Sequence, residues 1–125
     1  MPASLPSPDP RHILGHRGEH AAELHYAHRG YRCVARNWRH RRAEIDRIMV
    51  RDDSMVILEV KTRRNSSAAS FGSVRQWRRV AYAGMRFAQQ QRWSGELQLD
   101  LVIATLNHHD TFEIRIIRNI WEGWG

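Results

Sequence analysis

Apolar residues recur loosely at helical spacing between His12 and Arg29, where Ile13, Leu14, Ala21, Ala22, Leu24 and Tyr26 run without an interrupting proline. Gly30 follows as a stop in the left-handed region that a side chain disfavours, so the pattern predicts a helix up to Arg29. Tyr31–Trp38 is rich in β-formers and reads as a strand with Val34 and Trp38 on one face. Ala43–Val50 predicts a second strand, and Asp52-Asp53 a turn. Ser54–Lys61 (SMVILEVK) is nearly continuous in apolar residues until two charges near its end, the pattern of a central strand covered on both faces. Ser73–Trp93 returns to helical period, with Ser73 as a cap and Val74, Trp77, Ala81, Gly84, Met85 and Ala88 as its stripe. Leu97–Ala104 and Phe112–Ile117 read as strands. The order α-β-β-β-α-β-β predicts an α/β fold with a mixed central sheet flanked by helices.

Proline punctuates only one end. Pro2, Pro6, Pro8 and Pro10 all fall in the first ten residues, so residues 1–10 are expected to form a flexible tail and residues 11–125 one domain. Asn65–Ser70, made of small residues, is expected to be a loop. No run approaches the roughly 18 apolar residues of a membrane span, and no signal-like segment opens the chain. Cys33 is the single cysteine; an intramolecular disulfide is therefore impossible, and a cytoplasmic setting is expected. In its strand, Cys33 reads as a small core or near-core residue.

Charge adds a partner class. The formal net charge is +7, from 20 basic and 13 acidic side chains, and only one of the basic residues, Lys61, is lysine. From Val60 to Gly95 there is no acid, while Lys61, Arg63, Arg64, Arg75, Arg78, Arg79, Arg86 and Arg92 supply cations. Arg63, Arg64, Arg75, Arg78 and Arg79 are the candidate nucleic-acid-binding residues, since guanidinium forks match phosphate oxygens two at a time. The competing account is an arginine-rich composition solvating an ordinary surface.

The candidate chemistry lies at the end of the central strand. Residues two apart on a strand share a face, so Glu59 and Lys61 project together while Val60 points away. Asp46 stands 13 residues earlier, on the strand expected to form a hairpin with this one, and that pairing brings Asp46 beside Glu59. Two carboxylates so placed repel, by about 4 kcal/mol at ~4 Å in an effective dielectric near 20, and a divalent cation turns that repulsion into a site. Mg²⁺ takes one or two carboxylates and keeps positions for water and a phosphate oxygen. Lys61 is then placed to orient water or stabilise charge during phosphodiester hydrolysis. On spacing alone, a solvated Glu59–Lys61 ion pair of small energetic worth explains the same residues.

These residues also carry a family resemblance. Asp46…Glu59-Val60-Lys61 resembles the D…(D/E)-x-K signature of the PD-(D/E)xK nuclease superfamily. The wider pattern is similar to the YraN-type family of small bacterial proteins, themselves similar to archaeal Holliday-junction resolvases. It runs through Gly15-x-x-Gly18-Glu19, Arg29-Gly30-Tyr31, Ala35-Arg36-Asn37-Trp38, Glu44-Ile45-Asp46, Glu59-Val60-Lys61-Thr62-Arg63, Phe71-Gly72 and Asp100, across roughly residues 13–104. The resemblance implies a restriction-endonuclease-like core, Asp46 and Glu59 as ligands of Mg²⁺ or Mn²⁺, Lys61 as the catalytic lysine and Glu19 as an additional acid. It implies DNA, branched DNA included, as the substrate. The chain departs from the family at Ala43, where glycine is usual, and at Ile45. It also lacks the lysine the family often carries on its second helix, where Arg75 or Gln76 stands instead.

Two other motifs compete. His16-Arg17-Gly18-Glu19-His20 fits the H-x-x-E-H zinc-peptidase spacing, with His12 on the same face, although Gly18 falls inside the helix and a third ligand from a second helix is needed. Trp121 and Trp124 suit either base stacking or docking of the C-terminal segment onto the domain or another subunit. The leading expectation is a metal-dependent nuclease-like protein acting on DNA. A non-catalytic nucleic-acid-binding module on the same fold is the alternative, as is an assembly protein; a homodimer stays open and a membrane partner is not expected.

Overall fold

In the computed structural model, which describes residues 9–65 and 72–124, two helices and five strands follow one another as α1 (Pro10–Ala27), β1 (Arg32–His40), β2 (Ala43–Arg51), β3 (Ser54–Arg64), α2 (Val74–Gln90), β4 (Glu96–Leu106) and β5 (Phe112–Ile117). Pro10 belongs to α1, not to a tail. Asp9 caps the helix by accepting the Arg11 N–H, and Pro10 occupies a first-turn position where its missing N–H costs nothing. The expected tail otherwise falls on residues 1–8, outside the described residues. The loop expected at Asn65–Ser70 falls there too, apart from Asn65. At its other end α1 stops at Ala27, three residues before Gly30, which turns the chain at φ +88°.

The strands form one sheet in the order β1-β2-β3-β4-β5. β3 and β4 are parallel, joined through α2, and the other neighbours are antiparallel. This is a mixed α/β sheet with a helix against each face. α1 lays Ala22 and Tyr26 on Met49, Val56, Leu58, Val60, Val102 and Ala104. α2 covers Ile45, Ile48, Val50, Ile57 and Leu99 with Val80, Ala81, Ala83, Phe87 and Ala88. The α2 stripe is thus rotated from the expected one, leaving Val74 57% exposed.

Two glycines set these helix–sheet distances. A Cβ on Gly18 would stand 2.1 Å from Oγ1 of Thr62, and one on Gly84 2.8 Å from the Ile57 side chain. Several strands outrun the expected limits, because neighbouring strands, rather than apolar content, decide where pairing ends: β3 runs to Arg64 against Leu106 of β4. Trp121 and Trp124 pack against the α2-side core after Ile120 N–H donates to Leu99 O, so the C-terminal segment docks on its own domain.

Candidate metal centre and its surroundings

β2 and β3 pair from Arg51↔Ser54 up to Arg47↔Leu58, and there the ladder ends. The next residues in register are Asp46 and Glu59. Instead of a backbone carbonyl, Oδ2 of Asp46 accepts the Val60 N–H at 2.8 Å, so a side chain takes over the ladder bond where the strands part. β3 continues alone on that side while still paired with β4, and Glu59 and Lys61 project from this stretch.

Glu59 is 7% exposed. Its Oε1 accepts from Nε2 of Gln76 at 3.2 Å and faces Nζ of Lys61 at 3.4 Å. Burial, and next the charge of Glu59, push the Asp46 carboxyl up to about 8. Burial also raises Glu59, against the pull of Lys61. Glu44 and Glu19 add negative potential at both groups. The pair opens into a cleft of about 470 Å³ whose wall includes Glu44, Gln76, Arg42 and Arg79.

Glu19 is drawn to a different partner set. Its Oε1 accepts from Nη1 of Arg47 at 3.2 Å and from Nδ2 of Asn37 at 3.0 Å, and lies 3.6 Å from Nδ1 of His16. Asn37, in the left-handed region at φ +48°, also reaches Oε1 of Glu44 at 3.2 Å. Glu19 lines a neighbouring cleft of about 450 Å³, and Glu44 borders both clefts. The structure therefore brings Asp46, Glu59 and Lys61 together and sets Glu19 one cleft away.

The donor chemistry fits a hard divalent cation. Two mostly buried carboxylates stand together with a single lysine against them. Among the described residues no group of three or more His, Cys, Asp or Glu converges to hold a metal, so an ion at this place would have Asp46 and Glu59 as its protein carboxylates and would need water for the rest of its shell. The same fact leaves the H-x-x-E-H histidines without a ligand set of that size among the described residues, with Glu19 turned to Arg47 and Asn37.

The arginines divide. Arg79 lines the carboxylate cleft; Arg75, Arg78 and Arg64 are exposed; Arg63 donates from Nε to Oγ1 of Thr105 at 3.0 Å. Sequence reasoning named neither Arg42 as part of the cleft nor Arg47 as buried. Arg47 is 6% exposed and bonds Glu19 and Glu23, while the sequence shows only one arginine among eight between Arg29 and Arg51. Gln76 was visible as one of two residues standing in for the family's helix lysine. Asp100 lies on the α1 side, wholly buried, accepting from Tyr26, Gln98 and the Asn119 N–H, which is the arrangement of a structural carboxylate.

A mixed α/β domain with a carboxylate pair at a strand divergence is the class that fold and site define. A family model described as "Uncharacterised protein family UPF0102" matches residues 18–104, and the chain belongs to that family. It is 34% identical over 101 residues to a UPF0102 protein of Nitratidesulfovibrio vulgaris, covering 78% of this chain and 75% of the relative. With a UPF0102 protein of Pseudomonas fluorescens it shares 32% over 108 residues, 82% of this chain and 90% of the relative. A UPF0102 protein of Chlorobium phaeobacteroides is 46% identical over 56 residues, and there the chain spans under half of the relative, 44%. Among the described residues no helix is long and apolar enough to cross a membrane.

Proposed function

We propose that this protein is a divalent-metal-dependent nuclease acting on DNA, with a PD-(D/E)xK-type site on a restriction-endonuclease-like core. The observation that carries the reading is the placement of Asp46 and Glu59, both held high in pKa, beside Lys61 in an open cleft at the parting of β2 and β3. A Mg²⁺ or Mn²⁺ ion held by these carboxylates supplies Lewis acidity toward a phosphate oxygen and a more acidic bound water. Gln76 fixes the Glu59 carboxylate by its 3.2 Å bond. Lys61 stands next to that carboxylate, where its ammonium orients a water or offsets negative charge that grows on the phosphate. Arg42 and Arg79, on the cleft wall, are placed for the flanking phosphates.

Branched DNA as the preferred substrate rests on the resemblance of the motifs alone. The test is cleavage of linear and branched DNA with Mn²⁺ by the wild type, Asp46→Ala and Lys61→Ala. Loss of cleavage in both variants supports the reading; equal cleavage by all three removes it. Salt-sensitive DNA binding without cleavage, indifferent to Asp46→Ala and weakened by Arg79→Ala, assigns a binding module instead.

A further inference from the structure

The two edges of the sheet are built differently. β1 is interrupted by a register shift between Cys33 and Ala35 and by the left-handed Asn37, and it carries Arg32, Arg36 and Arg39, features that discourage a further strand. β5, the other edge, pairs in unbroken register from Leu101↔Ile117 to Leu106↔Phe112 and has no neighbour on its far side among the described residues. Its side chains alternate: Phe112, Ile114 and Ile116 are half-buried toward α1, while Glu113, Arg115 and Ile117 are exposed on the other face.

We infer that β5 pairs antiparallel with β5 of a second copy of this chain, centred on Ile114, to continue the sheet across a two-fold axis. Strands related by an axis normal to the sheet keep their faces, so residues of like face must stand opposite one another and the axis passes through a residue position. Centring on Arg115 opposes two arginines, and centring on Glu113 opposes two glutamates, both unfavourable. Centring on Ile116 leaves only residues 115–117 of β5 paired within the strand. Centring on Ile114 sets Glu113 against Arg115 of the second copy twice over. It also sets Phe112 against the second copy's Ile116, and Ile114 against itself. Charge and hydrophobicity are therefore complementary in one register.

The surroundings supply more apolar surface on the α1 side. Ile13 and Leu24 are 46% and 42% exposed, and with Phe112 they border a groove of about 690 Å³. An isologous pairing of this kind uses up the open edge on both copies, so it closes at a dimer and does not propagate.

The test exploits the register and uses the full chain. Sedimentation velocity over a wide concentration range is expected to show a monomer–dimer equilibrium for the wild type. Glu113→Arg and Arg115→Glu, both at exposed positions, each turn the two opposite-charge pairs into like-charge pairs and are expected to raise the dimer dissociation constant about tenfold or more. An equimolar mixture of the two variants restores the pairs between unlike chains, so it is expected to dimerise where neither does alone. Unchanged thermal melts in dilute solution establish that both variants fold. A wild type that stays monomeric overturns the inference. So does self-association that survives either charge reversal, which assigns the contact to another surface, or a mixture that fails to associate.

Discussion

Oδ2 of Asp46 accepts the backbone N–H of Val60 at the step where β2 leaves β3, so the carboxylate proposed to hold a metal is also a fastening of the sheet. The two roles make opposite demands. Fastening needs only an acceptor, which an amide oxygen supplies equally well. The charge is what burial and Glu59 oppose, raising the carboxyl to about 8.

Asp46→Asn separates the roles. An unfolded Asp ionises near pH 4, whereas the folded group keeps its proton up to about pH 8. Across that window the folded state binds more protons, so wild-type stability falls as pH rises through it. The variant escapes this loss and retains the Val60 bond. It is expected to be more stable than wild type by about 1–3 kcal/mol at pH 8 and nearly equal at pH 4, as read by urea denaturation. A gap that does not change with pH contradicts the electrostatic account.

Metal binding has a readout apart from cleavage. A ligand that binds only the folded chain stabilises it by about 2.7 kcal/mol at a hundred times its Kd. Mn²⁺ is accordingly expected to raise the wild-type Tm, and Asp46→Asn or Glu59→Gln to abolish the rise. A rise that persists in both variants places the ion elsewhere.

The approach of α1 to β3 offers a test of packing. A Cβ on Gly18 meets the Thr62 side chain well inside van der Waals contact. Gly18→Ala is expected to cost about 1–3 kcal/mol despite the better helix propensity of alanine. Thr62→Ala, which removes Oγ1 and the methyl, is expected to recover part of that cost when combined with it. Additive losses in the double variant would falsify this contact as the cause.

The carboxylate pair could be read from the chain because hairpin register is local: a long apolar run, an Asp-Asp turn and a count back to Asp46 suffice to set it opposite Glu59. What surrounds the pair was not readable in the same way. Asn37 adopts φ +48° inside a strand, a conformation asparagine tolerates but a strand pattern does not locate, and so reaches Glu19 and Glu44. Arg47 looks like any surface arginine until α1 lays Glu19 and Glu23 over it. Glu19 was placed near the site by resemblance, and the helix does bring it within electrostatic reach of Asp46, but the long-range contact with Arg47 decides where its oxygen points. Such contacts depend on how helix and sheet are rotated against each other, which periodicity leaves open by a residue or two.

The cluster of Arg47, Glu23 and Arg36 yields a last prediction. Hydrogen bonding from Arg36, reinforced by Arg47 against the cost of burial, holds the Glu23 carboxyl down at about 2. A depressed carboxyl contributes stability above its ordinary value near 4.5 and loses it as pH falls from there toward 2. The two arginines differ in burial, however: the Arg47 side chain is 7% exposed and that of Arg36 57%. Removing a buried partner strands its counter-charges, whereas an exposed pair is screened by water, so Arg47→Met is expected to cost about 3 kcal/mol at pH 7 and Arg36→Met less than about 1. Glu23→Gln is expected to flatten the decline in wild-type stability between pH 4.5 and 2. Urea denaturation at neutral pH and at pH 3 measures all three, and equal losses for the two arginine variants contradict the buried role of Arg47.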